Sequence, residues 1–212
     1  VTYTGNSGTN NITFNMSPDM VWVALRSAYG GGYLKPIYDT SRGDNKYMYS
    51  GGTNAEATGS SHVAFQTNGF QTASSWAGIN VSGEPYVTWG WRANGASTTT
   101  NDASATGVGS IDSVYQANTT AGFSIVTYTG TGSAGTIAHG LGAVPKIIIG
   151  KNRSDNGTTW AVYAKEAGNG YLELDTTAAY NSGTFGYNNT DPTSSVFTVD
   201  ASGLGASSKD YA

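Results

Sequence analysis

Val1-Thr2-Tyr3-Thr4-Gly5 and Val126-Thr127-Tyr128-Thr129-Gly130 are the same pentapeptide, set 125 residues apart. One short match decides little, but the landmarks that follow it keep their order. Pro18-Asp19-Met20-Val21-Trp22-Val23, with Arg26-Ser27 after it, answers to Pro145-Lys146-Ile147-Ile148-Ile149-Gly150, with Arg153-Ser154 after it. Ile37-Tyr38 then matches Val162-Tyr163, and Tyr47-Met48 matches Tyr171-Leu172. Pro85-Tyr86 stands in the place of Asp210-Tyr211, where the offset is again 125. Insertions and deletions between the anchors cancel, as they do when surface loops vary on a shared strand framework. The reading is an internal duplication: a repeat over 1–93, a Gly/Ser/Thr/Asn-rich linker over 94–120, and a second repeat over 121–212. Its last strand is cut short, so the chain reads as a segment of a longer polypeptide whose neighbouring repeats complete each other's sheets.

Each copy is written in strands. Met20 to Leu25, Leu34 to Tyr38, Lys46 to Tyr49, His62 to Gln66 and Tyr86 to Trp91 are β-branched or aromatic runs of ordinary strand length. The second copy repeats the scheme at Ile125 to Tyr128, Lys146 to Gly150, Trp160 to Tyr163, Tyr171 to Leu174 and Val196 to Val199. Glycine pairs and Asn68-Gly69 supply tight turns between them, and no window holds a sustained 3.6-residue apolar period. The predicted fold is therefore all-β: two tandem β-sandwich, jelly-roll-like domains joined by a short linker. Within the linker, Ser110 to Tyr115 has strand character of its own.

Composition narrows the function. Only 11% of the 212 residues are charged and the formal net charge is −4, with no cluster of Lys or Arg, so the electrostatic footprint of a nucleic-acid partner is missing. There is no cysteine, which removes disulfides, a thiolate nucleophile and Cys-based zinc. No apolar run approaches the roughly 18 residues of a membrane span, so membrane insertion is not expected.

The chemistry-bearing motifs each have a plainer reading. Gly130-Thr131-Gly132-Ser133-Ala134-Gly135 has the spacing of a dinucleotide-binding loop, but glycines follow where its helix should begin, so it reads as a hairpin loop. His62 and His139, the only histidines, fall at unrelated places in the two copies and offer no shared base or ligand. Glu166, Glu173 and Asp175 are close in sequence, and the last two would share a strand face, yet the first copy has no counterpart to them. No catalytic residue is assigned, and the chain is not read as an enzyme. Asp39 to Asp44 and Asn152 to Gly157 gather hard oxygen ligands, which makes Ca²⁺ the one candidate ion, although each loop also carries an arginine. Val87, Trp89 and Trp91 alternate on one strand and are placed in the core. The candidates for exposed, sugar-stacking aromatics are Tyr29, Tyr33 and Tyr187, each near glycine in a predicted loop.

Longer stretches carry a resemblance. Ala121 to Gly130, His139-Gly140-Leu141-Gly142, Pro145 to Ile149, Lys151 to Ser154, Asn188-Asn189-Thr190 and Pro192 to Thr198 resemble an uncharacterised repeat domain of tailed, often marine, bacteriophages. The first copy resembles it through Asp39 to Gly43, Thr53 to Glu56 and Asn68-Gly69-Phe70. The resemblance implies a tail-fibre or virion structural protein at the virion surface or outside the cell. Self-association or neighbouring repeats would be its partners, and host attachment a further role. The alternative is a non-catalytic carbohydrate-binding module that holds a host-surface glycan. A depolymerase, needing two carboxylates across a groove, is the third reading.

Overall fold

The computed structural model describes residues 1–28 and 35–212. The chain is all-β, with antiparallel ladders throughout its named strand pairings, and its described residues form two compact units: 1–52 with 56–96, and 53–55 with 97–212.

In the first unit β1 (Thr2–Thr4), β3 (Met20–Leu25), β4 (Pro36–Asp39), β5 (Lys46–Tyr49), β6 (Ala57–Thr58) and β9 (Pro85–Trp91) build one sheet in the order β1-β9-β3-β4-β5-β6. A smaller sheet, β2-β8-β7, joins β2 (Asn10–Thr13), β8 (Gly69–Thr72) and β7 (Ala64–Gln66). Strand side chains alternate between faces, so Val21, Val23, Tyr38, Tyr47 and Tyr86 of the large sheet meet Ile12 and Phe70 of the small one in a single buried cluster. Two sheets sharing one core make a sandwich.

The second unit has a four-stranded sheet, β10-β11-β12-β18, made of β10 (Thr99–Asn101), β11 (Ser113–Asn118), β12 (Phe123–Thr129) and β18 (Asp210–Tyr211). Beside it are the pair β13 (Gly135–Ala138) and β17 (Val196–Val199), and the meander β14 (Ile147–Gly150), β15 (Ala161–Ala164) and β16 (Gly168–Glu173). Ile137, Tyr163, Tyr187, Val199, Leu204 and Tyr211 form its core. Residues 130–134 link β12 to β13, strands of different sheets, so they are a crossover loop rather than the hairpin that was expected.

The linker reading needs correction. Residues 97–120 belong to the second unit and contain β10, the short helix α1 (Ala103–Thr106) and β11, which pairs with β12 over six residues. The composition misleads because this segment is held by polar contacts. The Asp102 side chain caps α1 by accepting from Ser104 and Ala105 N–H, and Gly107 ends it in the left-handed conformation. The buried Ser113 hydroxyl donates to the Ala138 carbonyl.

One arrangement recurs at the offset of 125. Tyr3 stacks on Tyr86 with ring centroids 5.1 Å apart, and Tyr128 stacks on Tyr211 at 5.1 Å. The Tyr3 hydroxyl donates to the Ile79 carbonyl at 2.6 Å and the Tyr128 hydroxyl to the Leu204 carbonyl at 2.8 Å. Val81 N–H donates to the Tyr86 hydroxyl, as Ala206 N–H does to the Tyr211 hydroxyl. Gly5 N–H reaches the Glu84 carbonyl, and Gly130 N–H the Lys209 carbonyl. A Cβ on Gly5 would lie 2.1 Å from the Val81 carbonyl oxygen, and one on Gly130 2.3 Å from that of Ala206. Glycine is therefore required at both places for the backbone to pass.

Candidate functional site

The aromatics proposed for sugar contact are not brought together. Tyr29 and Tyr33 lie outside the described residues. Tyr187 is a core residue, only 1% exposed, and its hydroxyl donates to the Ile148 and Ala161 carbonyls. Burial pushes its phenol far above the ordinary value. The neighbouring glycine misled: Gly186 has a positive φ and turns the chain so that the tyrosine goes inward.

The outward aromatics are on the face that the sequence assigned to the core. Along β9, Tyr86 and Thr88 are fully buried while Trp89 is 47% exposed. Trp89 pairs with Trp22 across the β3–β9 ladder, and the two rings meet edge to face with centroids 6.1 Å apart. The Trp22 indole N–H donates to the Ser50 hydroxyl at 2.9 Å, which fixes that ring. Gly90, on the inner side with Tyr86 and Thr88, lies against Phe14: a Cβ there would sit 3.0 Å from the Phe14 ring. Val87, Trp89 and Trp91 thus lie on the outer face, and the core assignment is overturned.

The ion-loop candidates hold their own cations. Asp39 accepts from the Arg42 backbone N–H and from its Nε at 2.5 Å, and the other arm of the buried guanidinium reaches Glu56 at 3.1 Å. Burial opposes the charge on Arg42, and Asp39 and Glu56 outweigh that opposition, holding it above its ordinary value. In the other loop the Asn152 side-chain oxygen accepts from Ser154 and Asp155 N–H, and Lys209 donates to Asp155 at 2.8 Å. Among the described residues no group of three or more His, Asp or Glu side chains gathers in a metal-like cluster.

The carboxylates of β16 diverge. The strand ends at Glu173, so Asp175 does not share its face; it turns back to accept from the Thr159 hydroxyl at 2.5 Å and from Trp160 N–H at 3.0 Å. Its second oxygen is buried without a hydrogen-bond partner among the described residues. Asp175 also acts electrostatically on Lys151, a fully buried lysine whose ammonium donates to the carbonyl and hydroxyl of Thr158. Burial lowers Lys151 to about 8, with Asp175 pulling the other way.

Both histidines are structural partners. Tyr38 meets His62 Nδ1 at 3.0 Å, and His62 stacks on Trp76 with centroids 4.8 Å apart. His139 Nδ1 accepts from Leu141 N–H, which leaves Nε2–H to donate to the Thr193 carbonyl. Burial lowers the pKa of each.

Sequence reading also missed two buried aspartates that act as backbone latches. Asp19 accepts from Ala93, Gly95 and Ala96 N–H at 2.8 to 2.9 Å, and Asp200 from Gly203 and Leu204 N–H at 2.8 Å. Pro18-Asp19 ahead of an apolar run was the available signal for the first. The second unit also has an open polar depression of about 510 Å³, floored by β11 and β12 and edged by Asp112, Arg153 and Asp210.

Over residues 1–212 the chain matches the family described as Domain of unknown function (DUF7483). The chain belongs to that family. The DUF7483 match covers both units. Neither a curated protein nor a solved structure matches it.

Proposed function

We propose that this DUF7483 chain is a non-catalytic structural module of a tailed-phage fibre or comparable extracellular filament, built by duplicating one β-sandwich. The observation that supports this reading is the tyrosine–glycine arrangement that recurs at an offset of 125 residues, once in each unit. The resemblance of Ala121 to Gly130 and Pro192 to Thr198 to a phage repeat domain supports the location. Of the residues weighed for chemistry or ion binding, His62, His139, Asp39 and Asp155 are each engaged by ring, backbone or cation partners that serve the fold. Antibodies raised against the chain should label intact virions or filaments at regular positions. Labelling confined to unassembled protein in a lysate counts against the proposal.

A second reading is favoured by one observation, the exposed Trp89 held against Trp22 on the outer sheet face. A flat, rigid indole surface stacks on a pyranose ring, so this face supports host-glycan attachment by the same module. A glycan-array signal that disappears in Trp89→Ala and persists in Tyr180→Ala would establish it. An array that stays blank with the unaltered chain removes glycan attachment and leaves the structural role.

A further inference from the structure

Register fixes which side chains share the outer face of the second unit's four-stranded sheet. Asn101 of β10, Ser113 of β11, Tyr128 of β12 and Tyr211 of β18 lie in one row and are all buried. Side chains alternate along a strand, so the residues on either side of this row point the other way. Thr100, Val114 and Thr127 form one outward row. Thr129 and Asp210, paired across β12 and β18, form the next, and Asp112 continues it one residue before Ser113. These six residues line the open depression of about 510 Å³, together with Arg153 at its edge.

Each carboxylate here is tethered by one oxygen. Asp112 Oδ1 accepts from Ala103 N–H at 2.9 Å, and Asp210 Oδ1 from the Thr129 hydroxyl at 2.8 Å. Neither second oxygen has a hydrogen-bond partner among the described residues, and neither has the Thr100 hydroxyl. Strands lie about 4.8 Å apart, so the two aspartates, two strands removed from each other, flank a gap of about 10 Å at the backbone. Val114 lays an apolar strip between Thr100 and Thr127 on the floor of that gap. This chemistry selects a ligand. Two carboxylates beside one guanidinium disfavour an anion. The gap keeps both carboxylates from sharing one cation, whose oxygen ligands must come within about 2.6 Å. A single valine offers little to a wholly apolar molecule. The fit is to a neutral molecule that donates hydrogen bonds at both ends and presents C–H surface between them, as a pyranose ring does.

We propose that this depression is a binding site for one neutral hexopyranose unit of a glycan. Asp112 Oδ2 and Asp210 Oδ2 accept from hydroxyls on opposite edges of the ring, the Thr100 hydroxyl meets a third, and the ring's C–H face lies on Val114. The single oxygen that tethers each aspartate holds the other in place before the sugar arrives, which lowers the ordering cost of binding. Because the depression is open, it takes a sugar inside a longer chain as well as a terminal one. The inference rests on the attachment reading for its ligand class, but its site is in the second unit and uses neither Trp22 nor Trp89.

The probes are methyl β-D-glucopyranoside, methyl β-D-galactopyranoside and methyl α-D-mannopyranoside, each titrated into the isotopically labelled 212-residue chain and followed residue by residue by NMR. At least one should give saturable shifts of the Val114, Thr127 and Thr129 amides, with a Kd of about 1–10 mM. N-acetylneuraminic acid, an acidic sugar, should give none. Asp210→Ala and Asp112→Asn should each weaken binding about tenfold. The first removes an acceptor; the second keeps the acceptor for Ala103 N–H and puts a donor in place of the other oxygen. Both changes are at exposed side chains, and unaltered Tyr163 and Leu204 resonances check the fold. No saturable shift with any of the three pyranosides, equal shifts with N-acetylneuraminic acid, or full binding in both variants overturns the proposal. Trp89→Ala should leave these shifts unchanged. A blank titration therefore strikes this site and leaves the Trp89 face standing, whereas shifts that persist beside a blank array in which Trp89 plays no part do the reverse.

Discussion

The first unit holds its core between a six-stranded and a three-stranded sheet and the second among sheets of four, three and two strands, although both are tied by the same tyrosine stack and the same pair of close backbone approaches. The difference teaches where this fold keeps its constancy. Tyr3 with Gly5 and Tyr128 with Gly130 act through backbone carbonyls and amides, so the side chains around them are free to differ. The electrostatics diverge in the same way. The strand end after β4 carries a buried Arg42 between two carboxylates, whereas the one after β15 carries an ion pair between Lys165 and Asp191 whose side chains are 42% and 48% exposed.

That contrast sets the largest predicted effect. Arg42→Met leaves Asp39 and Glu56 without their buried cation and should lower stability by about 3–5 kcal/mol in urea denaturation. A loss below about 1 kcal/mol would mean that the network is solvated. Next come the glycines. Gly5→Ala and Gly130→Ala should each cost about 3 kcal/mol, because the new methyl meets a carbonyl that cannot move without breaking the stack. Unequal losses would break the equivalence of the two units.

Removing single hydroxyls sharpens the comparison further. Tyr86 both accepts from Val81 N–H and donates to the Ala77 carbonyl, so Tyr86→Phe should cost about 2 kcal/mol. Among the described residues the Tyr211 hydroxyl accepts from Ala206 N–H alone, and Tyr211→Phe should cost about 1 kcal/mol. Acidification is the next test. Burial holds His62 and His139 below the 6.5 of a free imidazole, so the unfolded chain gains protons first as the pH falls. The stability that they contribute is complete above pH 6.5 and is lost as the pH drops below it, so the melting temperature should fall between pH 7 and 5. His62→Gln and His139→Gln should each flatten that fall. The smallest effect belongs to Lys165→Met, within about 0.5 kcal/mol, since exposed ion pairs are weak.

Much of the framework was legible in the sequence. Val196–Val199 was placed to the residue, and Met20 to Leu25 and Lys46 to Tyr49 likewise, because their apolar runs end at turn residues. The segment 97–120 was not legible as part of a sheet, since its strands are held by ladder bonds and by Asp102 and Ser113 rather than by apolar mass. The outward face of β9 was hidden for a related reason: Val87, Trp89 and Trp91 are more apolar than Thr88 and Gly90, yet Tyr86, Thr88 and Gly90 are on the side that meets the core, with Gly90 against Phe14. Tyr187 shows the reverse error, in which a glycine that turns the chain inward passed for a loop at the surface.

The most direct test of the account compares two backbone amides in the unaltered chain. The claim is that both units share one framework, so Gly5 N–H, which donates to the Glu84 carbonyl, and Gly130 N–H, which donates to the Lys209 carbonyl, should both exchange slowly. Protection within about tenfold of each other in residue-resolved hydrogen exchange is the predicted result. Rapid exchange at one position beside slow exchange at the other would contradict it.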